Sequence, residues 1–201
     1  MKSSSILVHG IGVKGMQYPA WKDGKNTREY VTWEGMLNRC TQKYWDKFPT
    51  YIGTTCSDSF KHYSYFYEWC QEQIGFGNKD DNGKIWQLDK DLLIKGNKVY
   101  SEGNCVFVPQ RLNYLLLKSN ATRGKHLLGV TRCTRTKSLR VRCSVDGKER
   151  HLGCFRNQDD AFQAYKEFKE GYIKEVAEQY KTRVDARVYN ALIGYEVNEN
   201  D

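Results

Sequence analysis

Residues 139–145, Leu-Arg-Val-Arg-Cys-Ser-Val, alternate strictly between apolar and polar side chains. A period of two is the mark of a strand, because successive Cβ atoms leave it on opposite faces. Leu139, Val141, Cys143 and Val145 therefore share one face, and Arg140, Arg142 and Ser144 the other. Asp146-Gly147 suits a two-residue hairpin turn, so the chain should fold straight back into a second antiparallel strand. Beyond it the period lengthens. Ala161, Ala164, Tyr165, Phe168, Tyr172, Val176 and Tyr180 recur at steps of three and four, and Asn157, with Asp160 three residues on, marks a helix start. This stripe can cover the apolar side of the sheet. The expected fold class is α+β, with a three-stranded antiparallel sheet packed on one helix in its C-terminal part.

Charge divides along the same line. Between Ser119 and Arg156 there are ten lysines and arginines against Asp146 and Glu149, so this stretch alone matches the net charge of +8 of all 201 residues. From Asn157 to Lys181 four lysines face six acids, which leaves the helix slightly acidic. A basic sheet on an acidic helix favours phosphate binding over general solubility. His151 and Cys154, with Cys133 and Cys143 on neighbouring strands, fit no zinc spacing, and the cysteines read as buried thiols. Seven cysteines without a CxxC point to reduced thiols and a cytoplasmic setting. No apolar run approaches the roughly 20 residues needed to span a bilayer, and the start, MKSSSILVHGIG, lacks the pattern of a secretory signal.

Gly129-Val130, the arginine-bearing strands, His151-Leu152-Gly153-Cys154-Phe155 and Ala161-Phe162-Gln163-Ala164-Tyr165 resemble the Apetala-two/ethylene-response DNA-binding domain over about sixty residues. The resemblance implies a sheet lying in the major groove of double-stranded DNA. It makes Arg132, Arg135, Lys137, Arg140, Arg142 and Arg150 the candidate contacts. The tryptophans that plant members carry on these strands are absent.

Upstream, residues 1–30 are rich in Gly and Lys and read as an irregular lead-in. Trp33, Met36, Leu37 and Cys40 fall on one helical face, and Phe60, Tyr63, Phe66, Tyr67 and Cys70 on another that should end before Gly75. The stretch KYWDKFPTYIGTTC reads as a loop because Pro49 opposes helix continuation. Two short apolar runs flank the Gly96-Asn97 turn, and a helix follows from about Pro109. The polar segment 119–125 is the expected interdomain linker, and the tail after Lys181 has enough apolar residues to pack. The many Tyr and Trp residues between 18 and 69 suit a small domain's core better than base stacking.

Asp89, Lys90 and Asp91, followed by Asn97, Asn104 and Asn113, form a spaced polar series in this apolar setting. The segment resembles the ββα-metal motif of HNH endonucleases of phage homing type. That resemblance implies Asp89 as the metal-binding acid, Asn104 as the asparagine that braces the loop, Asn113 as the helix ligand, and Mg²⁺ or Mn²⁺ as the divalent cofactor. Lys90 stands where the family has its catalytic histidine. Its unperturbed pKa of about 10.4 bars it from taking a proton from water unless burial depresses that value by several units. Asp91, two residues from Asp89 and on the same face if the strand continues, is another candidate base. An inactive site is the third option.

The organisation expected is an HNH-like nuclease module with an N-terminal arm over residues 1–118 and an Apetala-two-like DNA-binding domain with a C-terminal extension over 119–201. The function implied is a metal-dependent endonuclease that cuts or nicks duplex DNA, in the cytoplasm of a bacterial host if phage-encoded; the sequence leaves the oligomeric state open, a monomer being favoured over an oligomer. The alternative is a catalytically inactive HNH-fold DNA-binding protein acting as a phage regulator or an inhibitor of host defence.

Overall fold

The structure, a computed structural model, describes residues 7–116 and 126–199, and the chain divides into two compact units, 1–110 and 111–201. The division falls earlier than the boundary at 118/119 expected from composition, and the segment 119–125 lies outside the described residues.

The first unit opens with an antiparallel pair, β1 (Trp21–Lys22) and β2 (Lys25–Asn26). Residues 7–20, which precede it, are not a loose arm. Val13 bridges to His62, Ala20 is buried, and Gly12 lies so close to Leu37 and Trp33 that a Cβ there would stand 2.2 Å from Leu37 Cδ1. Helix α1 (Arg28–Arg39) starts where the Thr27 hydroxyl accepts the Tyr30 N–H, and it buries Trp33, Met36 and Leu37. The stretch expected to be a loop contains α2 (Gln42–Lys47), capped by Thr41, then a 3₁₀ turn over Pro49–Tyr51 and the short strand β3 (Thr55–Cys56). Pro49 ends one helix and begins the next turn, because its fixed φ and missing N–H suit a first helical position. Phe60 sits in a 3₁₀ turn ahead of α3 (Tyr63–Glu72), and both feed one aromatic core with Trp33, Phe66, Cys70 and Phe107.

Strands β4 (Gln87–Asp89), β5 (Val99–Tyr100) and β6 (Val106–Val108) complete the unit, β5 running parallel to β3 and β4 antiparallel to β6. Helix α4 (Gln110–Leu115) follows Pro109 directly, so the order strand, strand, helix is present around the polar series.

In the second unit β7 (Val130–Arg132), β8 (Leu139–Val145) and β9 (Lys148–Phe155) form an antiparallel sheet in that order. Asp146 and Gly147 both take positive φ, 47° and 78°, as a tight hairpin requires. Helix α5 (Gln158–Tyr180) begins at Asn157, whose side chain accepts the Asp160 N–H at 2.8 Å. It lays Ala161, Phe162 and Tyr165 on Val130, Leu139, Val141 and Cys143. Each aliphatic side chain so buried contributes about 1.5–3 kcal/mol. Gly129, at φ 74°, lets the chain enter this core, since a Cβ there would meet Tyr165 Cδ2 at 2.0 Å. The tail packs as expected: α6 (Ala186–Ile193) contacts α5 and buries Val188 and Leu192, and Val197 joins the sheet core. The described residues thus form helices and small sheets, an α+β arrangement, and no helix among them is long and apolar enough to cross a membrane.

Candidate functional site

The sheet of the second unit has one face covered by α5 and one left open. On the open face Arg140 lies opposite Thr131 and Cys154, and Arg142 opposite His151. A bulge between Val141 and Arg142 leaves Leu152 as the extra residue of β9, which keeps His151 and Cys154 on this side. Arg140, Arg142, Glu149, His151 and Cys154 line a surface depression of about 450 Å³. Arg142 pairs with Glu149 at 2.6 Å through Nη1, while its Nε is buried without a hydrogen-bond partner. The exposed part of a guanidinium beside an open depression is suited to an anion.

The other candidate contacts separate. Arg135 and Lys137 are exposed in the turn between β7 and β8, which closes through Cys133 N–H to Ser138 O at 2.9 Å and Lys137 N–H to Cys133 O at 2.9 Å. Arg132 is exposed at the end of β7 but opposite Leu139, in register with the core side. Arg150 lies opposite Cys143, so it faces the helix, with its guanidinium 5.0 Å from the centre of the Phe168 ring. Although exposed, it does not share the open face with Arg140 and Arg142.

Sequence reasoning passed over Cys133 as a polar group of this face. The Thr136 hydroxyl, the N–H groups of Thr136 and Arg135, and the Arg140 guanidinium pull its thiol down to about 7. Arg140 Nη2 donates to Cys133 Sγ at 3.7 Å. All seven cysteines are free thiols, but of the three expected to be buried on this sheet only Cys143 is; Cys133 is half-buried and Cys154 exposed, and no group of three or more His, Cys, Asp or Glu that could hold a metal ion occurs among the described residues.

The acidic turn of the first unit is built differently from its expectation. Strand β4 ends at Asp89, so Asp91 is not its same-face neighbour. Instead Asp89 Oδ1 accepts the N–H groups of Asp91 at 2.9 Å and Leu92 at 2.7 Å, closing a tight turn. Burial, and then the Asp91 carboxylate, push Asp89 up to about 6. Lys90 is only 7% exposed, its Nζ 3.5 Å from Asp91 Oδ2 and 5.7 and 5.8 Å from the ring centres of Tyr51 and Tyr100. Asn97 braces this turn: its Nδ2 donates to Lys90 O at 2.6 Å and Val99 O at 2.8 Å, and its Oδ1 accepts the Val99 N–H at 3.1 Å. Asn104 braces at one remove, donating to Asn97 Oδ1 at 3.4 Å. Asn113 stands one turn into α4, on the second unit's side of the division, with its Oδ1 buried. The brace expected was Asn104, whereas Gly96-Asn97 read only as a turn; Tyr51 was hidden in the stretch expected to be a loop.

These residues do not fit a divalent ion. A hard cation such as Mg²⁺ takes about six oxygen ligands in near-ideal octahedral geometry. Here one Asp89 oxygen is already spent on two backbone N–H groups, and an ammonium stands against Asp91. The Lys90 ammonium is held against the Asp91 carboxylate and over two aromatic faces. No family model, curated protein or solved structure matches the chain.

Proposed function

We propose that this protein binds double-stranded DNA through the open face of its C-terminal sheet, with Arg140 and Arg142 as the central phosphate or base contacts and Arg135 and Lys137 at the turn. The observation that carries the reading is the two-sidedness of the sheet: α5 covers the apolar side, and the opposite side presents two guanidinium groups around an open depression. Association should be dominated by phosphate neutralisation, and so should weaken steeply with salt. Fluorescence anisotropy of a labelled duplex with the full chain tests it: saturable binding at low salt that fades as salt rises supports the reading, and no binding at low salt refutes it.

A second reading, a metal-dependent endonuclease of HNH type, rests on the strand, strand, helix order in this part of the sequence alone, since the Asp89–Asp91 turn itself does not fit a divalent ion. Plasmid incubated with the protein and Mg²⁺ or Mn²⁺ decides between the two. Intact supercoils together with demonstrable DNA binding favour the non-catalytic reading, a regulator or inhibitor that acts by occupancy; nicked circles that disappear in Asp89→Ala favour the enzyme.

A further inference from the structure

The first unit buries a positive charge that DNA binding by the sheet does not use. Lys90 is 7% exposed, yet it lies between two acids in sequence and ends 3.5 Å from Asp91 Oδ2, over the rings of Tyr51 and Tyr100. Taking an ammonium out of water is strongly unfavourable unless opposite charge and polarisable faces surround it. Both are present. The backbone on either side is also fixed, because Asn97 Nδ2 holds the Lys90 carbonyl and Asp89 Oδ1 holds the N–H groups of Asp91 and Leu92. The ammonium is therefore positioned by four separate chain segments: the turn itself, the 3₁₀ turn bearing Tyr51, the Asn97 loop and β5 bearing Tyr100.

We infer that Lys90 is a resident cation: its ammonium plays, at the Asp89–Asp91 turn, the electrostatic role that a divalent ion would otherwise play, so the turn folds charge-compensated and takes up no metal. A second cation brought to the same carboxylates would meet the ammonium already held there, and like charges at that range in a partly buried site repel strongly. The inference concerns the first unit alone and stands apart from the DNA reading, since it is tested without DNA.

All five tryptophans lie between Trp21 and Trp86, so their fluorescence in the full chain reports the first unit. The test is thermal melting read by that fluorescence, in EDTA, MgCl₂ and MnCl₂, beside a Mn²⁺ titration followed by electron paramagnetic resonance. For the wild type the expected result is one midpoint in all three conditions and no stoichiometric Mn²⁺ uptake. Lys90→Met should melt about 10 °C lower, because it leaves Asp91 without its cation beside the buried Asp89 carboxyl. Millimolar Mn²⁺ should recover part of that loss in the variant and none in the wild type. Stoichiometric Mn²⁺ binding by the wild type overturns the inference, as does a Lys90→Met midpoint equal to the wild type's. Should Lys90→Met fail to fold, Lys90→Arg takes its place: a folded variant indifferent to Mn²⁺ supports a resident cation, and one that takes up Mn²⁺ overturns it.

Discussion

Lys90 and Arg142 each pair with an acid, at 3.5 Å to Asp91 and 2.6 Å to Glu149, but the two cations face opposite ways. Lys90 points into the first unit, where two rings and a tight turn surround it; Arg142 lies on the open face of a sheet, its side chain 37% exposed. The inward pair is costly to break, since a buried charge that loses its partner has nowhere to go. The outward pair is worth no more than about 1 kcal/mol and is screened by salt, so Glu149 can be exchanged for a phosphate at little cost. One cation is enclosed within its unit, and the other stands on an open sheet face.

The strongest way to break this comparison is to unfold one side of it and leave the other. Gly129→Ala, forced to φ 74° with its Cβ 2.0 Å from Tyr165, should cost the second unit about 3 kcal/mol or more. DNA binding should then be lost while tryptophan fluorescence stays native. Gly75→Ala is the mirror experiment, since at φ 94° its Cβ would stand 2.6 Å from Trp86 Cε3, and it should perturb the fluorescence instead.

A gentler change sharpens the outward side. Glu149→Gln removes the acid that competes for Arg142 and should raise DNA affinity by about fivefold at low salt, a gain of about 1 kcal/mol, read by anisotropy. Cys133 offers a chemical probe of the same face. With its thiol pulled down to about 7, iodoacetamide labelling should rise with pH to half its maximum near pH 7, and bound duplex should slow it. Peptide mapping by mass spectrometry would show both effects.

The smallest expected effect lies away from either face. Arg111 donates to both Asp146 oxygens, at 2.8 and 3.1 Å, and that contact holds the Asp146 carboxyl below its usual range. A depressed carboxylate contributes stability above its unfolded pKa of about 3.9 and loses it as pH falls through the folded value. Because Asp146 is 54% exposed, screening leaves about 0.5 kcal/mol. Asp146→Asn tolerates the positive φ of the turn, so urea unfolding should show that small loss at pH 7 and none at pH 2.

The second unit was the more legible in the sequence. Alternation in β8, the Asp146-Gly147 turn and the Asn157 cap are local signals that tertiary contacts reinforced. The side on which Arg150 falls was also implicit there. A two-residue turn pairs Val145 with Lys148 and so Cys143 with Arg150, a register argument that counting charges does not make. The bulge at Arg142 left no such trace, and it is what keeps His151 and Cys154 beside the arginines. In the first unit, strands of two or three residues are too short to show a period, and α2 has six residues with little beyond Thr41 to announce it. Asp89 and Asp91 looked like neighbours on a strand because nothing in the residue order says that β4 stops at Asp89. The aromatic surroundings of Lys90 come from Tyr51 and Tyr100, far apart in the chain, and only the fold brings them together.

The most direct measurement is the salt dependence of duplex affinity for the wild type, for Arg140→Ala/Arg142→Ala, and for Lys166→Ala/Lys174→Ala on the helix. Lys169 is left out of the helix variant because burial holds its ammonium below the usual lysine range, so its loss would disturb packing. If the open face carries DNA, the arginine double should lose at least tenfold in affinity and lower the slope of log K against log salt by about 2, while the lysine double stays close to the wild type. Equal losses in the two doubles, or an unchanged slope in the arginine double, would contradict the assignment of that face.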